Sequence, residues 1–461
     1  MYYKVKSGYR PVGWRNLPTG VLDLNKNAVT FLPRDEYGLL LHMNGQEEID
    51  PDTLTEKQRE SLHKLRERGL IESGDLPFPE TEKPFYRFYD NVFVESFQWS
   101  ITGKCNYNCR HCLVSSPKNR EDDLTTRQCI DIIRQIADCG VRKVALTGGE
   151  PLVRKDFPLL VQACTDAGIE ITELYTNGAL LTPERLGEII GMGQRPKIQI
   201  SYDGVCWHDW VRGRDGAQEI AERAFQAAHE AGFKTHAAMC LFRNNIPAVR
   251  ETVQRLVSLS VDRIKISPMQ TLGLWDARYA DQTLSHADFL QAVLDYIPQF
   301  VADGKPCNLN MGGCMIYSKK NDTFTTSRAK APDTPCPLYP CSGIVANPYI
   351  SARGTVLPCM AFADRSDYED FPNLKETALA DVLRDSVWLT TSRTKLKDIY
   401  ERNAECRECP ERGKHCGQSC RVCTEGGYSG INRDVCDFVK KGGYLRVQEA
   451  VEKAGGRFIL T

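Results

Sequence analysis

Apolar and polar residues alternate through Val21-Leu22-Asp23-Leu24 and again through Ala28-Val29-Thr30-Phe31-Leu32, with the polar run Asn25-Lys26-Asn27 between them. That pattern predicts a β-hairpin. Pro33-Arg34-Asp35-Glu36 then leads into Tyr37-Gly38-Leu39-Leu40-Leu41, which predicts a short helix with Asp35 as its N-cap. Leu54, Leu62 and Leu65 recur at helical spacing between Thr53 and Arg68, Gly69 ends the run, and Leu70-Ile71-Glu72 reads as a short wing strand. Hairpin, helices and wing together predict a winged-helix-like unit over residues 1–80. The prolines of Leu76-Pro77-Phe78-Pro79 and Lys83-Pro84 mark a linker, taken as residues 81–94.

From residue 95 the pattern changes to strand followed by helix. Apolar strands are predicted at 97–101, 143–147, 173–176, 198–202, 236–241 and 263–266, with helices between them at 124–139, 155–167, 183–191, 217–231 and 246–259. Strands alternating with helices imply a parallel sheet whose site lies at the strands' C-terminal ends. About six such units suit an incomplete barrel, assigned to residues 95–305.

Composition narrows the function classes. The chain has 461 residues, enough for two or three domains, and 41% of them are apolar. A formal charge of −1 gives no electrostatic footprint for nucleic acid or an anionic membrane. Residues 1–80 hold 11 Lys/Arg against 13 Asp/Glu, a difference of −2, which argues against a DNA-binding winged helix. No apolar run is long enough to span a bilayer, and Met1-Tyr2-Tyr3-Lys4-Val5-Lys6 lacks the layout of a signal peptide. Nineteen cysteines in such a chain argue for metal ligation in a reducing cytoplasm rather than for disulfides.

The densest cysteine stretch is Cys105-Asn106-Tyr107-Asn108-Cys109-Arg110-His111-Cys112, directly after the first barrel strand. Structural zinc closes with four ligands and commonly uses C-x2-C pairs. Cys105, Cys109 and Cys112, spaced C-x3-C-x2-C with no obvious fourth partner nearby, instead suggest a [4Fe–4S] cluster with one open iron. Zinc, or three unrelated thiols, is the plainer alternative. The spacing resembles that of the radical S-adenosylmethionine (SAM) enzymes, with His111 where that family usually has an aromatic residue, a position the resemblance counts among those that bind SAM. Gly148-Gly149-Glu150-Pro151, after the second predicted strand, is similar to the family's GGE motif, which binds the methionyl amine of SAM. The resemblance further implies that Ser201 and Asp203, in Ser201-Tyr202-Asp203-Gly204, are SAM-binding residues, with Ser201 near the ribose or carboxylate, and that Arg223 pairs with that carboxylate. Asn177 either lines the same pocket or makes the turn after its strand. Cys129, Cys139, Cys164, Cys206 and Cys240 lack ligand spacing and read as packing residues, as does His208.

Cysteines regroup in residues 306–461. Cys336 and Cys341 precede a C-x12-G-x4-C stretch ending at Cys359, and Cys406, Cys409, Cys416, Cys420 and Cys436 follow. This order resembles the SPASM extension of radical SAM enzymes, which holds two auxiliary [4Fe–4S] clusters. By that resemblance Cys336, Cys341, Cys359 and Cys420 hold the inner cluster, and Cys406, Cys409, Cys416 and Cys436 the outer one. A zinc ribbon from Cys406, Cys409, Cys416 and Cys420 is the alternative. Cys423 has no slot in the pattern, and Cys307 and Cys314 also lie near the inner set.

The resemblance implies an α/β fold: a partial (β/α)6 radical SAM barrel between a winged-helix-like domain and a cysteine-rich SPASM domain. It also implies three [4Fe–4S] clusters, SAM consumed as co-substrate, and a flavodoxin- or ferredoxin-type electron donor. The N-terminal layout is similar to the RiPP recognition element, in which a leader peptide adds a strand to a sheet edge, here the hairpin around Val21–Leu32. The expected reaction is hydrogen abstraction from a ribosomally made precursor peptide, closing an intramolecular cross-link, a thioether by preference and a carbon–carbon bond as the alternative. Sulfatase maturation to formylglycine is an alternative, weakened because Met360 stands where those relatives carry an acid and Asp364 is the nearest one. An iron–sulfur winged-helix sensor is the non-catalytic alternative, and it leaves Gly148-Gly149-Glu150 unexplained.

Overall fold

The computed structural model describes residues 1–15, 19–79, 86–114, 123–270, 273–275, 278–327, 338–339, 341–364, 368–402, 404–412, 436, 439–443 and 445–460. The N-terminal region contains β1 (Tyr2–Val5), β2 (Tyr9–Trp14), β3 (Gly20–Asp23), β4 (Ala28–Phe31), α1 (Arg34–Leu41), β5 (Asn44–Glu48), α2 (Glu56–Glu67), β6 (Ile71–Gly74) and β7 (Arg87–Tyr89). These strands make two sheets. One has the order β5-β1-β6 and packs with α1 and α2 around Tyr3, Leu40, Leu62 and Leu65. The other has the order β4-β3-β2-β7 and buries Val12, Trp14, Leu22 and Tyr89.

The hairpin forms as β3 and β4, antiparallel with Val21 opposite Thr30, and β4 is the edge strand of its sheet. It does not share a sheet with β6, the wing strand, which pairs instead with β1. Asp35 is not the N-cap of α1: Pro33 takes that place, and Asp35 lies in the first turn, where an acid favours the helix dipole. The stretch expected as linker contains β7, which pairs in parallel with β2 and stacks Tyr89 on Trp14 at 5.2 Å.

The central region alternates β8 (Phe97–Ser100), α3 (Thr126–Asp138), β9 (Lys143–Thr147), α4 (Phe157–Asp166), β10 (Glu170–Thr176), α5 (Pro183–Gly191), β11 (Lys197–Ser201), the short α6 (His208–Arg212), α7 (Ala217–Glu230), β12 (Thr235–Leu241), α8 (Val249–Ser258), β13 (Arg263–Pro268) and α9 (His286–Ala302). Strands β8 to β13 are parallel and adjacent in chain order, the six β/α units of a partial barrel. Burial on β11 and β13 has period two. Ile198, Ile200, Ile264 and Ile266 are fully buried in the large core, which also takes in Ala221, Phe225, Val253 and Leu256 of α7 and α8. Gln199, Ser201, Arg263 and Lys265 therefore face the concave side.

The sheet continues past residue 305. Strand β14 (Asn308–Met311) adds a seventh parallel strand, and β15 (Met315–Ser318) and β16 (Thr323–Thr325) follow antiparallel. At the opposite edge β17 (Tyr349–Ile350) pairs in parallel with β8, and β18 (Val356–Leu357) pairs with β17. The result is a mixed sheet of eleven strands. The end of the chain returns to the barrel: helix Leu445–Lys453 buries Val447 and Val451, and Phe324 of β16 exchanges backbone hydrogen bonds with Arg457 and Ile459 at 2.8 Å each. Among the described residues no helix is long and apolar enough to cross a membrane.

Candidate functional site

The chain leaves β8 through Ile101-Thr102-Gly103 into the cysteine loop, which is anchored on three sides. Thr102 accepts through its carbonyl from Gly149 N–H at 2.8 Å, and Lys104 accepts from Glu150 N–H at 2.8 Å, so the GGE turn is laid against the loop's entry. Gly148 is needed there, since a Cβ on it would come within 2.7 Å of the Thr102 carbonyl oxygen. Asn177, after β10, donates to the Asn106 side chain at 2.7 Å. From α6, Val211 accepts from Arg110 N–H at 2.9 Å, and the Arg110 guanidinium lies 4.9 Å from the Trp210 ring. Cys105, Cys109 and Cys112 are all partly exposed, and burial, opposed by the Tyr107 N–H and joined by the charges of Cys109, Glu150 and Cys112, pushes the Cys105 thiol up to about 12. Three thiols on one anchored loop at the C-terminal ends of parallel strands are the donor chemistry that an iron–sulfur cluster requires.

Glu150 is fully buried. Its carboxylate accepts from Thr176 Oγ1 at 2.9 Å, Asn177 N–H at 2.7 Å and Leu152 N–H at 3.2 Å. Burial outweighs these bonds and raises its pKa to about 7. A cation placed beside it would favour ionisation. An ammonium group thus fits this carboxylate.

Asp203 and its surroundings form a second buried cluster. Its carboxylate accepts from Cys240 N–H at 3.0 Å and pairs with Arg212 of α6 at 2.7 Å. Burial acts to raise the Asp203 pKa and is overcome by Arg212, which holds it below the usual carboxylate range. Arg212 also donates to Cys109 Sγ at 3.7 Å, so one guanidinium ties the β11 end to the cysteine loop. Ligand atoms of His111, Asp203 and Cys240 lie within 4.8 Å of one another. Arg212 already supplies the positive charge at that point. Burial, with Arg212 adding, lowers the His111 pKa to about 4, which keeps the ring neutral. His208 accepts through Nδ1 from Asp203 N–H at 2.9 Å and stacks on Tyr202, the packing role expected of it.

The concave side of the sheet is polar. Tyr175 donates to Glu173 at 2.6 Å, and His236 Nδ1 approaches the same carboxylate at 3.3 Å from two strands away. Ser201 is half-buried at the end of β11, next to Ala238 across the sheet.

Arg223 departs from expectation. Its side chain is 68% exposed on α7 and pairs with Glu219 one turn earlier, so it stands on the solvent face of its helix. The arginine brought to the site is Arg212. Cys240, expected only to pack, faces the concave side, and Cys206 is exposed, while Cys129, Cys139 and Cys164 are buried. No spacing signal marked Arg212 or Cys240.

In the C-terminal segment Cys406, Cys409 and Cys436 line one small cavity with Arg412 and Lys440. Cys341 precedes α10 (Ser342–Ala346), and Cys359 follows β18 by two residues. Strand β17 binds this segment to the first site, since Tyr349 and Ser100 share a hydrogen bond of 2.6 Å between their hydroxyls. Cys336, Cys416, Cys420 and Cys423 lie outside the described residues.

Comparison with known proteins gives the same picture. Residues 99–256 match the radical SAM superfamily, and residues 341–410 match the SPASM iron–sulfur cluster-binding domain. The chain is 35% identical over 178 residues to the mycofactocin maturase MftC of Mycobacterium tuberculosis, covering 38% of this chain and 44% of that one. It thus spans under half the length of that relative. It is 26% identical over 289 residues to the PqqA peptide cyclase of Granulibacter bethesdensis, covering 61% and 71%. Among solved structures, Streptococcus suis SuiB bound to precursor peptide SuiA superposes with a TM-score of 0.65 at 17% identity, over 94% of this chain and 99% of that one. The barrel, the cysteine loop and the matched domains together identify a chain that carries a radical SAM domain and a SPASM domain, is similar in sequence to MftC and PqqA peptide cyclase, and shares its fold with SuiB.

Proposed function

We infer that this protein is a radical SAM enzyme that installs an oxidative intramolecular cross-link in a ribosomally made precursor peptide. The observation that carries the reading is the joining of the Cys105–Cys112 loop, the Gly148–Glu150 turn and Asn177 at one end of the parallel strands. Relatives named as a peptide cyclase and a maturase, and a fold shared with SuiB over its length, support a peptide substrate.

In this reading Cys105, Cys109 and Cys112 hold a [4Fe–4S] cluster, and Glu150 with the glycine backbone binds the SAM amine. When bound and reduced, SAM supplies a 5′-deoxyadenosyl radical able to take hydrogen from an unactivated C–H bond. The chain's own work is positioning. Glu150 exchanges its proton for the ammonium charge, Asn177 fixes the loop against β10, and Asp203 holds Arg212 on Cys109. The Trp207, Trp210, Phe242 and Trp275 cluster beside the loop limits the approach of water.

Cys341 and Cys359, with Cys336 and Cys420, complete an inner auxiliary cluster. The Cys406, Cys409 and Cys436 cavity, with Cys416, is the outer one. Clusters held there would supply an acceptor for the electron released as the cross-link closes, with a flavodoxin- or ferredoxin-type protein as the donor to the first site. Edge strand β4 receives the leader peptide. Reconstitution of the full chain under argon tests the reading. About twelve irons per chain, with 5′-deoxyadenosine formed from SAM and dithionite and abolished by Cys109→Ala, is the expected result. Zinc in place of iron, or iron without nucleoside product, would overturn it.

A further inference from the structure

Strand β13 carries two cations on the concave side of the barrel. Because Ile264 and Ile266 are fully buried on the helix side, Arg263 and Lys265 project inward. Their electrostatic neighbours agree. Arg263 acts on the Tyr175 phenol of β10, and Lys265 acts on the Cys240 thiol of β12. Both side chains are exposed, and among the described residues neither has a carboxylate or hydrogen-bonding partner. Glu173, the carboxylate nearest in register, is already engaged by Tyr175 and His236. The other inward neighbours, Gln199, Ser201, Ala238, Asn308 and Asn310, are neutral.

Side chains two residues apart on one strand face lie roughly 6.5 Å apart at their roots. The guanidinium and ammonium can therefore converge on one small anion. Unpaired cations within a concave site are the complement of an anionic ligand. A guanidinium suits a carboxylate in particular, because it can donate two parallel bonds. Lys265 is in register with Ser201 across Ala238, so this anion would lie between the first half of β13 and the end of β11 on the concave side.

We propose that Arg263 and Lys265 bind a carboxylate of the peptide segment that enters the barrel, either an Asp or Glu side chain or a free C-terminus. The proposal rests on the peptide reading above and adds a substrate preference to it. It is tested on the full-length, iron-reconstituted protein with two pools of randomised octapeptides, one amidated and one with free C-termini. Peptides retained by the protein are identified by mass spectrometry. Acidic residues in the amidated pool are expected to be enriched about tenfold, the size of one charge-assisted bond. Retention of the free-acid pool about tenfold above the amidated pool, without acidic side-chain enrichment, assigns the C-terminus instead and equally supports the proposal.

Arg263→Gln with Lys265→Gln is expected to abolish the preference, and Lys265→Glu to shift it toward Lys- and Arg-containing peptides. The second variant keeps the test decisive if the first folds poorly. Peptide retention with neither acidic enrichment nor a preference for the free-acid pool overturns the proposal and leaves the peptide reading standing. Retention of no peptide sinks both. Loss of SAM binding by the double variant, measured by equilibrium dialysis, also overturns it, because the cations then belong to the cofactor's own carboxylate.

Discussion

Glu150 ties the site's electrostatics to the stability of the metal-free chain. Its carboxyl is raised from 4.5 to about 7 by burial, so between those values the folded protein keeps a proton that the unfolded chain has released. The stability this confers is complete below pH 4.5 and is lost as the pH rises through about 7. Thermal melts are expected to show wild type losing Tm relative to Glu150→Gln across that window, and parallel curves would refute the assignment. Arg212 sits against the buried Asp203, so Arg212→Gln should destabilise by roughly 3–5 kcal/mol, while adding Asp203→Asn should recover much of the loss. A denaturant-unfolding double-mutant cycle reads that coupling, and simple additivity would argue against it. The contrast between Glu150 and Arg212 explains what was legible at this scale. Glu150 lies in a contiguous motif after a strand, so its chemistry is written locally. Arg212 comes from a five-residue helix, and only the packing of α6 on the cysteine loop gives it a role. Arg223 had the more suggestive position along the chain, yet the helical turn puts it beside Glu219 in solvent.

Among the elements, the cysteine loop depends on the turn that ends α6. Gly213 has φ +62°, and a Cβ there would meet the Asn108 carbonyl oxygen at 2.6 Å. Gly213→Ala is expected to cost roughly 1–3 kcal/mol and to lower iron retention after reconstitution. Full iron content would mean that the loop tolerates the displacement. Edge strand β4 presents Phe31 at 42% exposure. Phe31→Lys is expected to reduce peptide retention several-fold while leaving iron content unchanged, and unchanged retention would move leader docking off this edge. The six barrel strands were readable because their apolar residues face helices that the chain itself supplies next. The separation of hairpin and wing into two sheets was not. It rests on the pairing of the hairpin with β2 and of the wing with β1, long-range partners that no local pattern announces.

For the whole molecule, the boundary expected at residue 305 divides a continuous sheet. Strands β14 to β16 extend it on one side, and the chain end hydrogen-bonds to Phe324. Truncation after residue 305 is therefore expected to leave no cooperative thermal transition, because the open edge of β13 and its apolar face lose their cover. A sharp transition in the truncated chain would make the barrel an autonomous unit. Cysteine spacing marked the C-terminal segment as a cluster domain, but two-residue strands such as β17 are too short to register as a pattern. The pairing of β17 with β8 has a consequence for biosynthesis. Tyr349 reaches Ser100 across 249 residues of chain, and at roughly 5–20 residues per second a ribosome needs about 12–50 s to supply them. For that interval the nascent cysteine loop waits beside an unfinished sheet edge. That edge is closed only once residues 349–350 have been made, so a chain that stalls before them keeps an open strand next to the entry of its cysteine loop.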